Sequence, residues 1–167
     1  SVSKRYSLCG ARIGNIVSRN KPFMDTILRF GQARLCPPTI EQWACLGLTD
    51  VPLSYTRGVI AEYQKRRDVV SDALANIPGV VARKPEGAFY ICARLPVDDS
   101  NAFAIFLLRD FHVDGETVMV APLDGFYATP GLGRDEVRLA YVLEQDKLRR
   151  AMNVLEAALV AYPALVG

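Results

Sequence analysis

Residues 1–14 read SVSKRYSLCGARIG, and this stretch governs how the rest of the chain is interpreted. Two serines, Ser1 and Ser3, precede Lys4, and Arg12 follows eight positions after the lysine. A lysine amine condenses with an aldehyde to form a Schiff base when it is partly desolvated or lies near another cation. Hydroxyl and guanidinium groups are good phosphate ligands, and arginine holds a phosphate with two hydrogen bonds. The residue types therefore suit an aldehyde and a phosphate.

The arrangement Ser-x-Ser-Lys, then seven residues, then Arg-x-Gly resembles the lysine segment of the class I/II aminotransferases. These enzymes have fold type I, that of the aspartate aminotransferase superfamily, and use pyridoxal phosphate (PLP). The resemblance implies that Lys4 is the catalytic residue and holds PLP as a Schiff base. It also implies that Ser1 and Arg12 contact the phosphate of the cofactor. Ser3 also matches the motif and is counted among the cofactor-binding residues, but a direct contact with the phosphate is expected less of Ser3 than of Ser1 and Arg12.

Arg138 lies in the segment Val137-Arg-Leu-Ala-Tyr141, after a glycine-rich loop and before the last predicted helix. A guanidinium binds a carboxylate through two parallel hydrogen bonds, which fix orientation as well as charge. The family has its substrate-carboxylate arginine in this setting, so the resemblance implies that Arg138 binds the substrate. Arg134, within the loop, is the competing candidate.

Helices alternate with short strands along the chain, which predicts an α/β fold. The segments Pro85-Glu-Gly-Ala-Phe-Tyr90 and Tyr63 to Leu74 extend the resemblance over nearly the whole sequence. It implies the C-terminal part of a fold-type-I PLP enzyme. We expect residues 1–53 to be the end of the large PLP-binding domain, and residues 54–167 to form a long linking helix and an α+β small domain.

Several local elements near these residues are predicted from turn and capping signals. They are a strand at 12–18, a helix at 22–34, a capping box at 39–42, a helix cap at 98–100 and a strand at 117–121. Proline favours the first turn of a helix, which supports the helix from residue 22. In the capping box, Thr39 is expected to cap the helix that follows.

Composition excludes several other classes of function. The net charge of +2 does not favour nucleic-acid binding. The cysteines at 9, 36, 45 and 92 have no metal-ligand spacing, so no metal site is predicted. Reduced thiols fit a cytoplasmic protein. No apolar run approaches the ~18 residues of a membrane span, so no membrane partner is expected.

The chain opens inside the lysine motif, so we expect it to be part of a longer enzyme. In the family, the acidic partner of the pyridine nitrogen, the aromatic that stacks on the ring and the Asn and Tyr that hold its 3-oxygen all precede the lysine. We therefore expect this chain alone to be inactive. The expected function of the longer protein is transfer of an amino group from an α-amino acid to a 2-oxo acid, in a homodimer.

Two alternatives stay open at this point. One is a PLP lyase or decarboxylase of the same superfamily, because these enzymes share the lysine segment. The other is a non-catalytic regulatory module of the same fold, although intact Lys4, Arg12 and Arg138 argue against it. The residues that distinguish these classes are absent from the sequence.

Overall fold

The computed structural model describes residues 1–163. The chain divides into two compact units, Ser1–Gly58 and Val59–Gly167. The boundary expected from the sequence, between residues 53 and 54, falls at the first residues of the helix Leu53–Asn76, which continues into the second unit. The end of the expected small domain, residues 164–167, lies outside the described residues.

The first unit consists of short helices. They are α1 (Val2–Arg5), α2 (Lys21–Arg34) and α3 (Thr39–Leu46), with 3-10 turns at Cys9–Ala11 and Gly47–Asp50. The side chain of Asn20 caps α2 by accepting a hydrogen bond from the backbone N–H of Phe23 at 3.0 Å. This cap and the proline in the first turn suit a helix start, where N–H groups lack helical partners. The helix predicted at 22–34 is confirmed.

The strand predicted at residues 12–18 is wrong. These residues have no regular secondary structure, and Arg12 has a left-handed backbone with φ of 53°. No β-ladder among residues 1–163 includes them. A strand satisfies its backbone groups by pairing with a neighbour, so a suitable residue pattern without a partner does not produce one.

The capping box predicted at 39–42 is also wrong in its roles. Pro38 flanks α3 in an extended conformation, and Thr39 is already helical. The side-chain amide of Gln42 donates to the carbonyl of Pro37 at 2.7 Å. In a capping box the Gln oxygen accepts from the N–H of the capping residue. Pro38 has no N–H, so this arrangement is closed to Gln42.

The second unit is a layer of helices on a small sheet. Its elements are α4 (Leu53–Asn76), β1 (Val81–Ala82), β2 (Tyr90–Arg94), α5 (Ser100–Arg109), β3 (Ala121–Pro122), β4 (Glu136–Ala140) and α6 (Gln145–Ala161). The strands are antiparallel in the order β1-β2-β4-β3. The strand predicted at 117–121 is wrong for all but its last residue, because pairing with β4 begins at Ala121.

The sheet has one buried face and one outer face, because successive side chains of a strand point to opposite sides. Ile91 and Val137 belong to the core, together with Leu74, Phe103 and Leu155 from the three helices α4, α5 and α6. Cys92 and Arg138 are directly paired in the register of β2 and β4, and therefore lie on the outer face. The α/β fold predicted from the sequence is confirmed.

Candidate active site

Ser1 caps the short helix that carries Lys4. Its side-chain oxygen accepts a hydrogen bond from the backbone N–H of Ser3 at 3.3 Å. Because this bond uses a lone pair, the hydroxyl can still donate its proton to an anion. Lys4 lies in α1 and is exposed.

The chain returns to the start of α1 at residues 13 and 14. The backbone N–H of Val2 donates to the carbonyl of Ile13 at 3.2 Å. Gly14 packs on Ser1 so closely that an added Cβ would stand 3.3 Å from the Cβ of Ser1. Glycine lacks this atom and so permits the close approach of the two segments. The structure thus brings the backbone that follows Arg12 against the residues that begin the lysine helix.

Arg12 follows the 3-10 turn Cys9–Ala11 and adopts a left-handed conformation. Its Nη1 donates to the carbonyl of Cys9 at 2.9 Å, which holds the guanidinium against its own turn. A guanidinium has five N–H donors, so this bond leaves most of the fork for an anion. A non-glycine residue in this conformation costs about 1 kcal/mol or more, and such strain is concentrated at functional sites.

The donor set of this segment fits a phosphorylated aldehyde such as PLP. Ser1 and Arg12 supply hydroxyl and guanidinium donors for a phosphate, and Lys4 supplies the primary amine for an aldehyde. Residues 1–24 contain no Asp or Glu, so no acidic side chain of this segment competes with the phosphate. Ser3 contributes its backbone N–H to the cap of α1, and a phosphate contact by its hydroxyl stays a prediction.

Arg138 lies between two aromatic rings on the outer face of the sheet. Its guanidinium carbon is 4.4 Å from the ring centroid of Tyr90 and 5.0 Å from that of Phe126. Cations are attracted to the faces of aromatic rings at such distances. Within residues 1–163 no carboxylate makes an ion pair with Arg138. The guanidinium is therefore held in place while its hydrogen-bonding edges stay open to an added carboxylate.

Arg134, the competing candidate, interacts with a carboxylate of the protein itself. Its Nε lies 3.6 Å from Oδ2 of Asp99. Asp99 also caps α5, because its Oδ1 accepts from the backbone N–H groups of Asn101 and Ala102. These backbone hydrogen bonds, the one from Ala102 first, lower the pKa of Asp99. The helix cap predicted at 98–100 is thus confirmed at Asp99, and Arg134 lies beside the capping carboxylate.

A tyrosine binds the glutamate that shares the outer face of β4 with Arg138. The hydroxyl of Tyr127 donates a short hydrogen bond to Oε2 of Glu136, and this bond raises the pKa of Tyr127. The ring of Tyr127 covers Gly133, where an added Cβ would stand 2.5 Å from the ring. Gly133 also has a φ of 73°, which favours glycine.

The aromatic and acidic neighbours of Arg138 were not predicted from the sequence. Tyr90 and Phe126 are distant from Arg138 along the chain, and strand register is needed to bring Tyr90 close. Glu136 was the one accessible signal. It is two residues before Arg138 in the sequence, and the period of two in extended backbone places both on one face.

Other candidate chemistry is sparse in the described part of the chain. All four cysteines are free. No group of His, Cys, Asp and Glu within residues 1–163 is arranged to hold a metal ion. Over the same residues, no helix combines the length and apolar character needed to cross a bilayer.

The sequence matches the family described as "Aminotransferase class I and II" over residues 1–155. The chain belongs to this family. An aspartate aminotransferase of Rhizobium meliloti (strain 1021) is 30% identical to it over 169 residues, which cover 94% of this chain and 39% of that protein. The family resemblance expected from the lysine segment is confirmed.

Solved aminotransferase structures share the fold of the chain. The alanine aminotransferase of Pyrococcus furiosus matches with a TM-score of 0.77 and 28% identity, over 96% of this chain and 41% of that one. LysN of Thermus thermophilus, an alpha-aminoadipate aminotransferase complexed with N-(5'-phosphopyridoxyl)-L-leucine, matches with a TM-score of 0.81 at 22% identity, covering 96% of this chain and 41% of LysN. The second likeness is one of fold alone. The chain spans about two fifths of the length of the relatives that it matches.

Proposed function

We propose that the whole protein containing this chain is a PLP-dependent aminotransferase that transfers the amino group of an α-amino acid to a 2-oxo acid. The observation that supports the proposal is the close return of Ile13 and Gly14, which directly follow Arg12, to Ser1 at the start of the lysine helix. Membership of the aminotransferase family and the names of the relatives support it.

In this proposal, Ser1 and Arg12 bind the phosphate of PLP, and Ser3 supports the turn that holds Ser1. The hydroxyl proton of Ser1 and the free edge of the Arg12 guanidinium point to an anion, because both groups are donors. Charge-assisted hydrogen bonds of this kind are about twice as strong as neutral ones. They would fix the cofactor's position relative to Lys4.

Lys4 is the proposed attachment residue and the proposed acid-base residue. Its Nζ would accept the proton from the substrate Cα and donate it to the carbon on the other side of the amino nitrogen, which is general acid-base catalysis by one positioned amine. When bound, PLP supplies an electron-withdrawing ring that stabilises negative charge at Cα. The lysine then only has to move a proton over a short distance.

Arg138 is the proposed ligand of the substrate's α-carboxylate. The stacking of its guanidinium against Tyr90 and Phe126 restricts its motion, so less entropy is lost when a carboxylate binds. A bidentate pair fixes the orientation of the substrate about its Cα. Arg134 is less suited to this role because it already interacts with Asp99.

The names of the relatives favour an aminotransferase over a lyase, a decarboxylase or a regulatory module. We further propose that the whole protein is a homodimer, as the family resemblance implies, and that it is cytoplasmic, where its free cysteines would stay reduced. Light scattering and cell fractionation test these two points.

The function is tested by incubating the whole protein and PLP with single amino acids and a 2-oxo acid acceptor. Formation of the new amino acid and of the matching 2-oxo acid in equal amounts supports the proposal. Release of carbon dioxide or ammonia without amino transfer would point to a decarboxylase or a lyase. A panel with acidic, aliphatic and aromatic amino acids identifies the preferred substrate class.

A further inference from the structure

Arg138 has a potential internal competitor on its own strand. Glu136 is two residues away in β4, on the same outer face of the sheet, at a backbone separation of about 7 Å. A glutamate and an arginine side chain readily span such a distance, and an ion pair between them would occupy the guanidinium. Glu136 also faces Arg94 across the ladder. Neither arginine makes an ion pair with Glu136 within residues 1–163.

The carboxylate of Glu136 is instead bound by Tyr127. The phenol hydroxyl donates to Oε2, and the bond to this charged acceptor favours the protonated phenol. The ring of Tyr127 also lies against Gly133, where an added Cβ would stand 2.5 Å from it.

We propose that Tyr127 is a positioning residue: its hydroxyl holds the Glu136 carboxylate away from Arg138 and so keeps the guanidinium open to the substrate's carboxylate. This inference rests on the proposed function in taking Arg138 as the carboxylate ligand. Tyr127 lies outside the lysine segment, and Glu136 is the carboxylate that its hydroxyl keeps from competing for Arg138. Loss of the hydroxyl would release Glu136 to pair with Arg138, and an incoming carboxylate would then have to displace it.

The test is a cycle of variants in the PLP-loaded whole protein, with butyrate as a probe that has a carboxylate and no amino group. Tyr127→Phe keeps the ring on Gly133 and removes only the hydroxyl. Calorimetry measures the affinity for butyrate. The affinity that is lost in Arg138→Lys is assigned to Arg138. We expect Tyr127→Phe to weaken the Arg138-dependent binding of butyrate about three- to fivefold. This is the effect expected when a half-exposed ion pair competes for the guanidinium. The same change should appear in KM for the amino acid, with kcat nearly unchanged.

The double variant Tyr127→Phe with Glu136→Gln distinguishes competition from a structural effect. Removing the charge of Glu136 should restore butyrate binding to the wild-type value, whereas general damage to the loop would persist. Tyr162→Phe is the matched control, because the Tyr162 hydroxyl also donates to a carboxylate, Asp98, at 3.2 Å. It should leave butyrate binding unchanged.

Unchanged butyrate binding in Tyr127→Phe would overturn the inference, and so would weakened binding that Glu136→Gln does not restore. Absence of any Arg138-dependent binding in the wild-type protein would overturn it as well. A different observation would refute the proposed function: the whole protein would transfer no amino group to any 2-oxo acid, whether or not butyrate binds. The two failures are therefore separable.

Discussion

A Cβ placed on Gly14 would stand 3.3 Å from the Cβ of Ser1. Gly10, in the 3-10 turn of the same segment, has nothing within 4 Å of the corresponding position. Neither glycine has the positive φ that makes substitution costly for the backbone alone. The pair therefore separates the effect of the close approach from the effect of glycine itself.

We expect Gly14→Ala to weaken PLP binding by the whole protein about three- to tenfold. The added methyl group must displace Ser1, and crowding of this kind typically costs about 1 kcal/mol or more. Absorbance titration with PLP measures the affinity. Gly10→Ala should bind PLP as the wild type does, and equal losses in both variants would show that the contact with Ser1 is not the cause.

Reduction with borohydride should attach PLP to Lys4. Lys4 occupies the position of the cofactor lysine in the motif, and Lys21 and Lys84 serve as the comparison lysines. Peptide mapping of the reduced whole protein locates the adduct, and Lys4→Ala should abolish it. An adduct on Lys21 or Lys84 in the wild-type protein would refute the assignment.

Arg138→Lys should lower kcat/KM for amino acids about 100-fold. Lysine keeps the charge but loses the planar fork and the stacking on Tyr90 and Phe126. The absorption spectrum of the bound cofactor should stay the same, because PLP is not held by this residue. Arg134→Lys is the matched control and should change kcat/KM little. A large loss of kcat/KM in Arg134→Lys and a small one in Arg138→Lys would indicate that Arg134 binds the carboxylate.

Asp99 should make the stability of the chain depend on pH. Its pKa in the folded state is lowered by the backbone bonds to α5, so its contribution is full above the unfolded pKa of about 3.9 and is lost as pH falls through the folded value. Asp99→Ala should lower the free energy of unfolding at pH 7 by about 1 kcal/mol. The difference from wild type should shrink toward pH 2.

Urea unfolding followed by circular dichroism measures these differences. Asp99→Asn should keep most of the stability at pH 7, because asparagine caps helices as well as aspartate does. Asp72→Ala, at an exposed position on α4, is the control and should have a small effect. A constant difference between Asp99→Ala and wild type across the pH range would argue against the titration of Asp99 as the cause.

The 167-residue chain alone should show no measurable amino transfer. The chain spans about two fifths of the length of its relatives, and the resemblance implies that groups which hold the cofactor ring belong to the remainder. Electrostatic stabilisation of this kind typically accounts for several kcal/mol of the barrier. The same assay as for the whole protein measures this, with PLP in excess. Turnover at rates near those of ordinary enzymes would show that the chain is sufficient for catalysis.

Local signals predicted α2 correctly and residues 12–18 wrongly. Pro22 indicated α2 because proline fixes a helical φ in the first turn. Residues 12–18 failed as a strand because a strand depends on a partner, which a local pattern does not supply. The lysine segment was found because its residues are contiguous. The surroundings of Arg138 were not, because Tyr90 reaches it only through the β2–β4 register.

The left-handed backbone of Arg12 has a consequence for engineering this chain. Glycine adopts that conformation without strain, and asparagine tolerates it better than arginine does. A library selected only for thermal tolerance would therefore enrich glycine or asparagine at position 12. The winning variants would fold well and lose the guanidinium proposed to bind the phosphate. Selection on this protein therefore has to include a measurement of PLP binding, since selection for heat resistance alone favours variants that lack the Arg12 guanidinium.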